Sequence, residues 1–453
     1  MNKEYQRRRD NIAAQFRAQQ GHVVLDKATS NLFRARKPTQ AARLDVRNLN
    51  HVLSIDEKKL TLDVEGMTTY DDITKATLAH GLMPPVVPQL KTITIGGGVS
   101  GLAIESSSYR EGLTHETILE MDILTADGTV TTCSPTQNAD LFYAIPNSYG
   151  TLGYILRLTL PLRPVKPYVA LCHVRFDDHS SHQKALEAAC LSGEYAGKPF
   201  DFIDATVFDE HEMYITFGQL VDTAPYTSDY TYERMYFRSI RERTEDYLTI
   251  YDYLWRWDTD WFWCSKNVGA QQPLLRRLLG RKRLGSATYQ KLMRFEARHG
   301  WLRQAQELTH TYKPVEVVIQ DVQVPVERVA EFMEFFHREI GIKPVWMCPT
   351  RTTNNKGAWP WPLYPMQADQ LYVNVGFWDA VPTRYGENSG HYNRLIEKKL
   401  MEIDGKKGLY SDAYYSRAEF DRLYNGDAYR ALKKQFDPSG RFKDLYQKCV
   451  QKQ

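Results

Sequence analysis

Alternating apolar and polar residues predict several strands in the first third of the chain. The run LDVRNLNHVLSIDEKKLTLDVEG, which begins at Leu44, predicts two short strands joined by a turn at 56–59. A helix is predicted from Thr69 to Gly81, because a capping residue opens it and a glycine ends it. Two further alternating runs, LEMDIL and TVTTC, predict a hairpin, since an Asp-Gly turn at 127–128 joins them.

The pattern changes to longer mixed segments from about residue 169. The charged stretch around 230–250 predicts a helix, and VEVVIQDVQVP predicts a strand that the helix VERVAEFMEFFHREIG follows. A further strand is predicted for LYVNVGFWD. The middle of the chain is therefore expected to form an α+β domain, with a boundary near 165–170.

Length and composition narrow the class of protein. A chain of 453 residues is expected to form two or three domains, and 42% hydrophobic with 25% charged residues is typical of a globular protein. A net charge of +3 gives no reason to expect a nucleic-acid partner. The 6 cysteines form no CxxC or His/Cys cluster, so neither a metal site nor a disulfide framework is expected. The charged N-terminus and the lack of a long apolar run predict a cytoplasmic protein without a membrane span.

The most specific motif is the glycine-rich segment KTITIGGGVSGLAIESSSYREG, residues 91–112. Consecutive glycines allow a close backbone approach and leave N–H groups for an anion, although a tight structural turn would use the same residues. A second glycine turn, at Gly150 and Gly153, leads into another strand. Although Gly96, Gly98 and Gly101 have the GxGxxG spacing, we find no classical Rossmann signature around them, so a nicotinamide would have to bind transiently rather than in a Rossmann crevice.

Three long segments carry a resemblance to a known family. TITIGGGVSGLAIESSSYREGL, EMDILTADGTVTTCSPTQNADLFYAIPNSYGTLGYI and LYSDAYYSRAEFDRLY resemble the sterol Δ24-reductase branch of the vanillyl-alcohol-oxidase-type (PCMH) FAD flavoproteins. The resemblance extends over nearly the whole chain from about residue 25. Through TSNLFRAR and DYLWRWDTDWFWCS, the chain is also similar to bacterial methylene-fatty-acyl reductases of the tuberculostearic acid type.

The resemblance implies an α+β fold in three parts. These are a PCMH-type FAD-binding domain at 1–168, a substrate-binding cap domain at 169–404, and a C-terminal return to the FAD domain at 405–453. FAD is expected to be non-covalent, because neither His nor Cys occurs at 29–39 or at 91–112. The expected reductant is NADPH.

The resemblance also implies which residues contact FAD. The pyrophosphate would be lined by Gly96, Gly97, Gly98 and Gly101, with Ser30, Asn31 and Arg34 on an opposing loop that contains no glycine. The other expected contacts are Thr94, Ile95, Glu105, Ser106, Ser107 and Gly112 along the cofactor, and Gly150, Thr151, Gly153 and Ile155 near the flavin and adenine.

The expected reaction requires an acid. An isolated alkene has no carbonyl to accept electron density, so hydride addition needs a proton donor on the other side of the double bond. Protonation of a terminal =CH2 carbon would place positive charge on the branch carbon, which hydride then quenches. The candidate acids are Tyr410, Asp412, Tyr414, Tyr415 and Glu105. The alternatives are packing at a strand end for the tyrosines and a structural hydrogen bond for Glu105.

Aromatic residues indicate where a lipid would bind. The candidates for an apolar acyl channel are Trp255, Trp257, Trp261, Trp263 and Trp346, with ordinary core packing as the alternative. Asp258 and Asp260 are expected to add polar groups to that wall. The segment PLLRRLLGRKRLG, residues 273–285, fits docking on an anionic membrane surface or a solvated helix face.

Three functions remain open on this basis. The first is an NADPH-dependent reductase of a lipid C=C bond, most simply a methylene-branched fatty-acyl chain made by a SAM-dependent methyltransferase partner. The second is a flavin oxidase or dehydrogenase of an acyl chain, sterol or sugar alcohol. The third is a lipid-binding scaffold that has lost its cofactor. The expected location is cytoplasmic, with a peripheral position at the inner membrane face.

Overall fold

Two antiparallel sheets organise the chain. The structure, a computed structural model, describes residues 2–29, 33–34, 37, 40–300, 313–353, 361–368, 370–387 and 389–452. A five-stranded sheet lies in the N-terminal third, and an eight-stranded sheet is built from strands between residues 168 and 407. No helix in the described ranges is long and apolar enough to cross a membrane.

The N-terminal part contains the five-stranded sheet in the order β3-β4-β8-β6-β7. The predicted strand pair (β3 and β4) and the predicted Asp-Gly hairpin (β6 and β7) are confirmed, with Gly128 at φ +80° in the turn. The predicted helix is α2, whose first turn is capped because the Thr69 hydroxyl accepts from the backbone N–H of Asp72. The elements are α1 (Lys3–Ala18), β1 (Val23–Asp26), β2 (Ala42–Asp45), β3 (Val52–Asp56), β4 (Thr61–Glu65), α2 (Tyr70–Leu78), β5 (Leu82–Met83), α3 (Ile95–Gly101), α4 (Ser108–Glu111), β6 (Glu120–Leu124), β7 (Val130–Cys133), α5 (Ala139–Ala144), β8 (Tyr154–Pro161) and β9 (Arg163–Pro164).

The remaining elements build the eight-stranded sheet and the C-terminal helices. They are β10 (Tyr168–Phe176), α6 (His179–Ser192), β11 (Glu194–Tyr195), β12 (Lys198–Pro199), β13 (Phe202–Asp209), β14 (Glu212–Val221), α7 (Tyr236–Glu242), β15 (Glu245–Thr249), α8 (Ile250–Leu254), α9 (Pro273–Leu279), α10 (Ser286–His299), β16 (Val315–Pro325), α11 (Val329–Glu339), β17 (Val345–Arg351), β18 (Leu371–Pro382), α12 (His391–Glu402), β19 (Lys406–Lys407), α13 (Arg417–Leu423), α14 (Gly426–Phe436) and α15 (Leu445–Cys449). The strand order is β15-β10-β14-β13-β17-β18-β16-β19.

Most of the predictions for this region are confirmed, and one is wrong in part. The predicted strands and helix correspond to β16, α11 and β18. The helix predicted around 230–250 ends at Glu242, and 245–249 form β15 instead. Burial alternates along β15, with Asp246 and Leu248 pointing inwards, so the segment pairs with β10 as a strand.

The two faces of the eight-stranded sheet have different roles. On one face, Val318, Val322 and Val324 of β16 belong to a hydrophobic core with side chains of α6, α11 and α12. The alternate residues of β16 point the other way and line a cavity: Val317, Ile319, Asp321 and Gln323. The period-two geometry of a strand therefore separates core-forming residues from cavity-lining residues.

The C-terminal segment contacts both parts of the molecule. β19 pairs with β16 of the eight-stranded sheet. Beyond it, Lys433 Nζ donates to the Thr151 carbonyl at 2.8 Å, and Arg441 Nε donates to the Gly21 carbonyl at 3.0 Å. The division of the chain at residues 168 and 405 stays a prediction.

Candidate active site

A cavity of about 890 Å³ lies between α3 and the open face of the eight-stranded sheet. Its wall is mostly apolar and also includes residues of the loop around Arg34, the turn at 261–268, α10 and the C-terminal segment. A large, mostly apolar cavity with a few converging polar groups is the usual form of a cofactor or substrate site.

The glycine-rich segment borders this cavity as a short helix, α3, and not as the predicted loop. The backbone N–H groups of Ile95 and Gly96 donate to the carbonyls of Thr68 and Gly66, at 3.0 and 2.9 Å. The N–H of Gly97 donates to Thr94 Oγ1 at 3.3 Å. The N–H of Gly98 donates to the Thr94 carbonyl at 2.8 Å. The expectation that the N–H groups of the three consecutive glycines are open to an anion is therefore wrong.

The first glycine is needed for close packing. A Cβ on Gly96 would lie 2.7 Å from the carbonyl oxygen of Gly66, well inside ordinary contact. A Cβ on Gly101 would meet the Tyr149 ring at 3.6 Å, which is an ordinary contact distance. Glycine at 96 thus allows two backbone segments to contact each other, while glycine at 101 adds no side chain to the cavity wall beside Tyr149.

Cations in the cavity wall supply the positive charge that α3 does not. Arg34 is 5% exposed; its Nη1 donates to the Leu409 carbonyl at 2.8 Å, and its guanidinium lies 5.5 Å from the centre of the Tyr149 ring. Arg34 Nε is buried and has no partner among the described residues, which leaves one donor for a ligand. The other cations in the wall are Lys27, Lys37, Arg43, Lys443 and Lys448.

The expected FAD contacts fall into two groups. Those in the cavity wall are Arg34, Thr94, Gly96, Gly97, Gly98, Gly101, Gly150, Gly153 and Ile155. Those outside the wall are Ile95, Glu105, Ser106, Ser107, Gly112 and Thr151, whose polar side chains bond within the protein. Ser107 Oγ, for example, donates to the Pro85 carbonyl at 2.7 Å. Ser30 and Asn31 lie outside the described residues.

Glu105 belongs to a buried ionic network and not to the cavity wall. Its Oε1 accepts from Gln89 Nε2 and lies 3.4 Å from Arg256 Nη2, which is 2.8 Å from Asp204 Oδ2. Burial raises the pKa of Glu105, while the Arg256 guanidinium opposes that rise. The alternative reading, a structural hydrogen bond, describes these contacts better than a catalytic acid does.

Tyr410 is the one C-terminal acid candidate in the described cavity wall. Asp412 lies outside it and forms an ion pair with Lys452 at 2.8 Å. The Tyr415 ring packs in the hydrophobic cluster of the C-terminal helices. Tyr414 lies outside the wall too, beside the Arg394 guanidinium at 5.2 Å from the ring centre.

Asp321, which the sequence reasoning missed, is the partner of Tyr410. Tyr410 Oη donates to Asp321 Oδ2 at 2.7 Å, and Asn374 Nδ2 donates to Asp321 Oδ1 at 2.7 Å. Trp378 Nε1 donates to Tyr410 Oη at 3.1 Å. Burial raises the pKa of Asp321 to about 6, against the lowering effect of its hydrogen bonds. The available signal was that Asp321 is the one acidic residue among the alternate positions 315, 317, 319, 321, 323 and 325 of this strand.

The space for this group depends on Gly376 of β18. Gly376 lies opposite Asp321 in the β16–β18 pairing and opposite Trp346 in the β17–β18 pairing. A Cβ at Gly376 would lie 2.6 Å from the Trp378 ring and 2.7 Å from Asp321 Oδ1. The absence of a side chain therefore leaves room for the indole and the carboxylate together.

The structure divides the predicted tryptophans between cavity and core. Trp261 and Trp346 line the cavity together with Phe262 and Trp378. The three that lie outside the wall, in the hydrophobic core, are Trp255, Trp257 and Trp263. Residues 261–263 have φ values of 45°, 49° and 59°, a left-handed turn that non-glycine residues rarely form.

The carboxylates of the aromatic segment hold this turn in place. Asp258 Oδ1 accepts from the backbone N–H of Lys91 at 3.0 Å, and Asp260 pairs with Arg276 at 2.5 Å. The expectation that these two carboxylates face the cavity is wrong, because both are committed to anchoring contacts.

Burial shifts the pKa values of a cysteine and a histidine in this region, so that both side chains are uncharged at neutral pH. Cys264 lines the cavity, but burial raises the pKa of its thiol to about 12 and its Sγ donates to the Trp378 carbonyl at 3.3 Å. His115 is buried outside the wall, edge-on to Trp361, and burial lowers its pKa to about 3. The described residues contain no group of three or more His, Cys, Asp or Glu side chains that could hold a metal ion.

Comparison with known proteins identifies the class. Residues 11–134 match the family model described as an FAD binding domain. The predicted fold class is confirmed: a PCMH-type FAD-binding domain joined to further antiparallel sheet and helices in an α+β chain. The cavity fits FAD, because it offers the glycines of α3, an unpartnered buried Arg34 donor for an anionic pyrophosphate, and an aromatic region for the flavin ring.

The relatives narrow the class further. Delta(24)-sterol reductases of Rattus norvegicus and Homo sapiens are each 28% identical over 417 residues, which cover 88% of this chain and 76% of the relative. Cytokinin dehydrogenase 7 of Oryza sativa subsp. japonica is 30% identical over 146 residues, which cover 32% of this chain and 28% of the relative. The chain is therefore an FAD-binding oxidoreductase related to the Delta(24)-sterol reductases.

Proposed function

We propose that this protein reduces an unactivated C=C bond in a lipid with NADPH, converting a methylene-branched fatty-acyl chain to its methyl-branched form. The observation that carries the proposal is the Asp321–Tyr410 pair in an otherwise mostly apolar, aromatic cavity. An acyl chain or another apolar hydrocarbon suits such a wall, and alkene reduction needs a proton source there. The reductase names of the relatives support the same direction of reaction.

Different residues of the cavity wall would hold the cofactor and the hydrocarbon substrate. Arg34 and the neighbouring cations hold the pyrophosphate of non-covalently bound FAD, while Trp261, Trp346 and Trp378 exclude water from the hydrocarbon. Bound FAD, once reduced, supplies hydride. The overall reaction balances as one alkene, one NADPH and one proton giving one saturated branch and one NADP⁺. NADPH would bind transiently, since the glycines at 96, 98 and 101 have GxGxxG spacing but follow a loop and not the strand of a Rossmann unit.

Helix α9 supports a lipid-surface location for this activity. Leu274 and Leu278 are 73% and 71% exposed on adjacent turns, and Lys282 and Arg283 follow as exposed cations. Leu279 of the same helix packs against the cluster that contains Trp261 and other cavity-wall residues. We therefore include peripheral docking on an anionic membrane surface at the inner, cytoplasmic face, where a SAM-dependent methyltransferase would supply the methylene-branched chain.

Anaerobic half-reactions test the proposal. NADPH should bleach the flavin absorbance of the purified holoenzyme, and a phospholipid with a methylene-branched acyl chain should restore it. A saturated acyl chain of equal length is the control and should leave the flavin reduced. A Δ24-unsaturated sterol presented in the same vesicles distinguishes a sterol substrate from an acyl substrate. Bleaching by a saturated lipid or a sugar alcohol in place of NADPH would instead establish an oxidase or dehydrogenase.

A further inference from the structure

We propose that Asp321 and Tyr410 form a proton relay, in which Tyr410 Oη protonates the terminal alkene carbon while Asp321 passes its own proton to Tyr410. This inference rests on the proposed function and names the acid that the reaction requires. The Asp321 O–H bond, the Tyr410 O–H bond and the π bond of the alkene break, and a new Tyr410 O–H bond and a new C–H bond at the terminal carbon form. The branch carbon would receive the hydride that reduced FAD supplies. Tyr410 ends neutral and Asp321 ends as a carboxylate, which then recovers a proton from solvent.

Two hydrogen-bonding partners of Tyr410 Oη in the described part of the chain support this direction of transfer. A phenol oxygen accepts two hydrogen bonds and donates one. Trp378 Nε1 donates to Tyr410 Oη, and Asp321 Oδ2 lies 2.7 Å away. When Asp321 is a carboxylate, Tyr410 donates to it. When Asp321 carries a proton, it can donate to Tyr410 Oη instead, and the phenolic hydrogen is released towards the cavity.

The surroundings make Asp321 easier to protonate than an exposed aspartate. Asn374 Nδ2 holds the second carboxylate oxygen at 2.7 Å, and burial outweighs both hydrogen bonds in raising the pKa of Asp321 to about 6. Tyr410 has its own pKa well above the usual range, because burial and the Asp321 carboxylate both oppose the phenolate. The phenol therefore serves as a conduit rather than as the source of the proton.

Other charged groups near Asp321 are already engaged or are neutral phenols. Tyr149 and Tyr364 line the same cavity as Asp321, and burial raises the pKa of both. In the described part of the chain, Arg34 donates to the Leu409 carbonyl beside Tyr410 at 2.8 Å. On the adjacent strands, Lys407 pairs with Glu397 at 2.9 Å, Asp379 pairs with Lys266 at 2.7 Å, and burial lowers the pKa of Lys406. The protonation state of Asp321 is thus controlled mainly by burial and by its two hydrogen-bond donors.

Two variants test the relay in the holoenzyme. Asp321→Asn keeps the shape of the side chain but has no carboxyl proton, and Tyr410→Phe removes the conduit. Both should bind FAD and be bleached by NADPH as the wild type is. Reoxidation by the methylene-branched lipid should slow by about 10²–10⁴-fold in each, the usual contribution of a positioned acid. The wild-type reoxidation rate should fall as pH rises above about 6, and this dependence should be absent in Asp321→Asn.

Tyr230→Phe is the matched control, because Tyr230 donates to the buried carboxylate of Asp246 at a place outside the cavity. It should reoxidise at the wild-type rate. A readout independent of turnover is the infrared carboxyl band of the oxidised holoenzyme, titrated from acid to neutral pH. The band should contain one carboxyl that titrates near pH 6 and disappears in Asp321→Asn.

The outcomes separate this inference from the proposed function. If no alkene lipid reoxidises the wild-type flavin, the proposed function fails. If the wild type is reoxidised and Asp321→Asn matches it in rate and pH profile, the relay is overturned and the function stands. In D2O, the relay places solvent deuterium on the methyl carbon of the product, and a methyl carbon without solvent deuterium contradicts it. An Asp321 band that titrates in the ordinary carboxyl range also overturns the inference.

Discussion

Replacing Arg256 should destabilise the protein strongly, because this side chain neutralises two buried carboxylates. Arg256, Asp204 and Glu105 are each 2% exposed. Arg256 Nη2 lies 2.8 Å from Asp204 Oδ2 and 3.4 Å from Glu105 Oε1, and the guanidinium lies 4.0 Å from the centre of the Tyr253 ring. In Arg256→Met the packing volume is largely kept while the positive charge is lost.

The expected magnitude follows from that loss of charge. Removing one partner of a buried ion pair costs about 3–5 kcal/mol, since an uncompensated charge remains in a dry site. Protonation of Glu105, whose pKa burial already raises, would remove part of that penalty at acid pH. Each further unit of pKa rise corresponds to about 1.4 kcal/mol.

The pH dependence has a definite sign. A carboxyl with a folded-state pKa above its unfolded value binds a proton on folding, so its contribution to stability falls as pH rises between those two values. Arg256→Met should therefore lose more stability at pH 8 than at pH 5. Urea denaturation of the holoenzyme at both pH values, with the flavin content measured first, gives the comparison.

A surface pair provides the control. Arg277→Met removes the partner of Glu233, in an ion pair whose side chains are both exposed, and solvent-exposed pairs of this kind contribute little to stability. The double variant Arg256→Met with Asp204→Asn should recover part of the loss, because one of the stranded carboxylates is gone. A loss below about 1 kcal/mol in Arg256→Met, or an equal loss at both pH values, would refute the reasoning.

Three further predictions concern the cofactor and the membrane. Gly96→Ala should lower the flavin content and should also lower the free energy of unfolding by about 1–3 kcal/mol, because the new Cβ overpacks against backbone. Gly101→Ala should fold normally, so any flavin loss measured by absorbance in that variant reflects a cofactor contact. Equal stability of the two variants would contradict this prediction. Acid precipitation should release all FAD from the wild type and from Cys264→Ser alike, and yellow pellets in the wild type alone would indicate a covalent bond to that sulfur. Leu274→Glu together with Leu278→Glu should weaken binding to anionic vesicles at least tenfold in co-sedimentation, because about 1.5–3 kcal/mol accompanies full burial of each leucine; unchanged binding would exclude α9 as the docking surface.

The sequence predicted the local elements well where the pattern was unambiguous. The Asp-Gly turn at Gly128 and the alternation of β16 both specify their structures through short-range geometry. The segment at 245–249 was predicted as helix from its charge, but pairing with β10 decided its conformation. Tertiary pairing of that kind cannot be read from a charged stretch alone.

The site was harder to predict than the fold. The glycine motif located one wall of the cavity, yet the role of Gly96 depends on contact with Gly66, thirty residues earlier in the chain. Asp321 could not be assigned to Tyr410 from the sequence, because β16 and the C-terminal segment meet through pairing with β19. Residues that act together here are brought together by sheet order rather than by proximity in the chain.

The alternation along β16 and β18 has an evolutionary consequence. Changes at Val317, Ile319 or Ala380 would alter the cavity without disturbing the hydrophobic core on the opposite face of the sheet. A lineage can therefore vary the shape of the cavity by point substitution while retaining the same scaffold. A single-residue insertion in either strand would instead turn core-facing side chains towards the cavity and cavity-facing side chains towards the core, so it would disrupt the core and the cavity together. We expect β16 and β18 to vary in their cavity-facing side chains among related sequences and to keep a constant length.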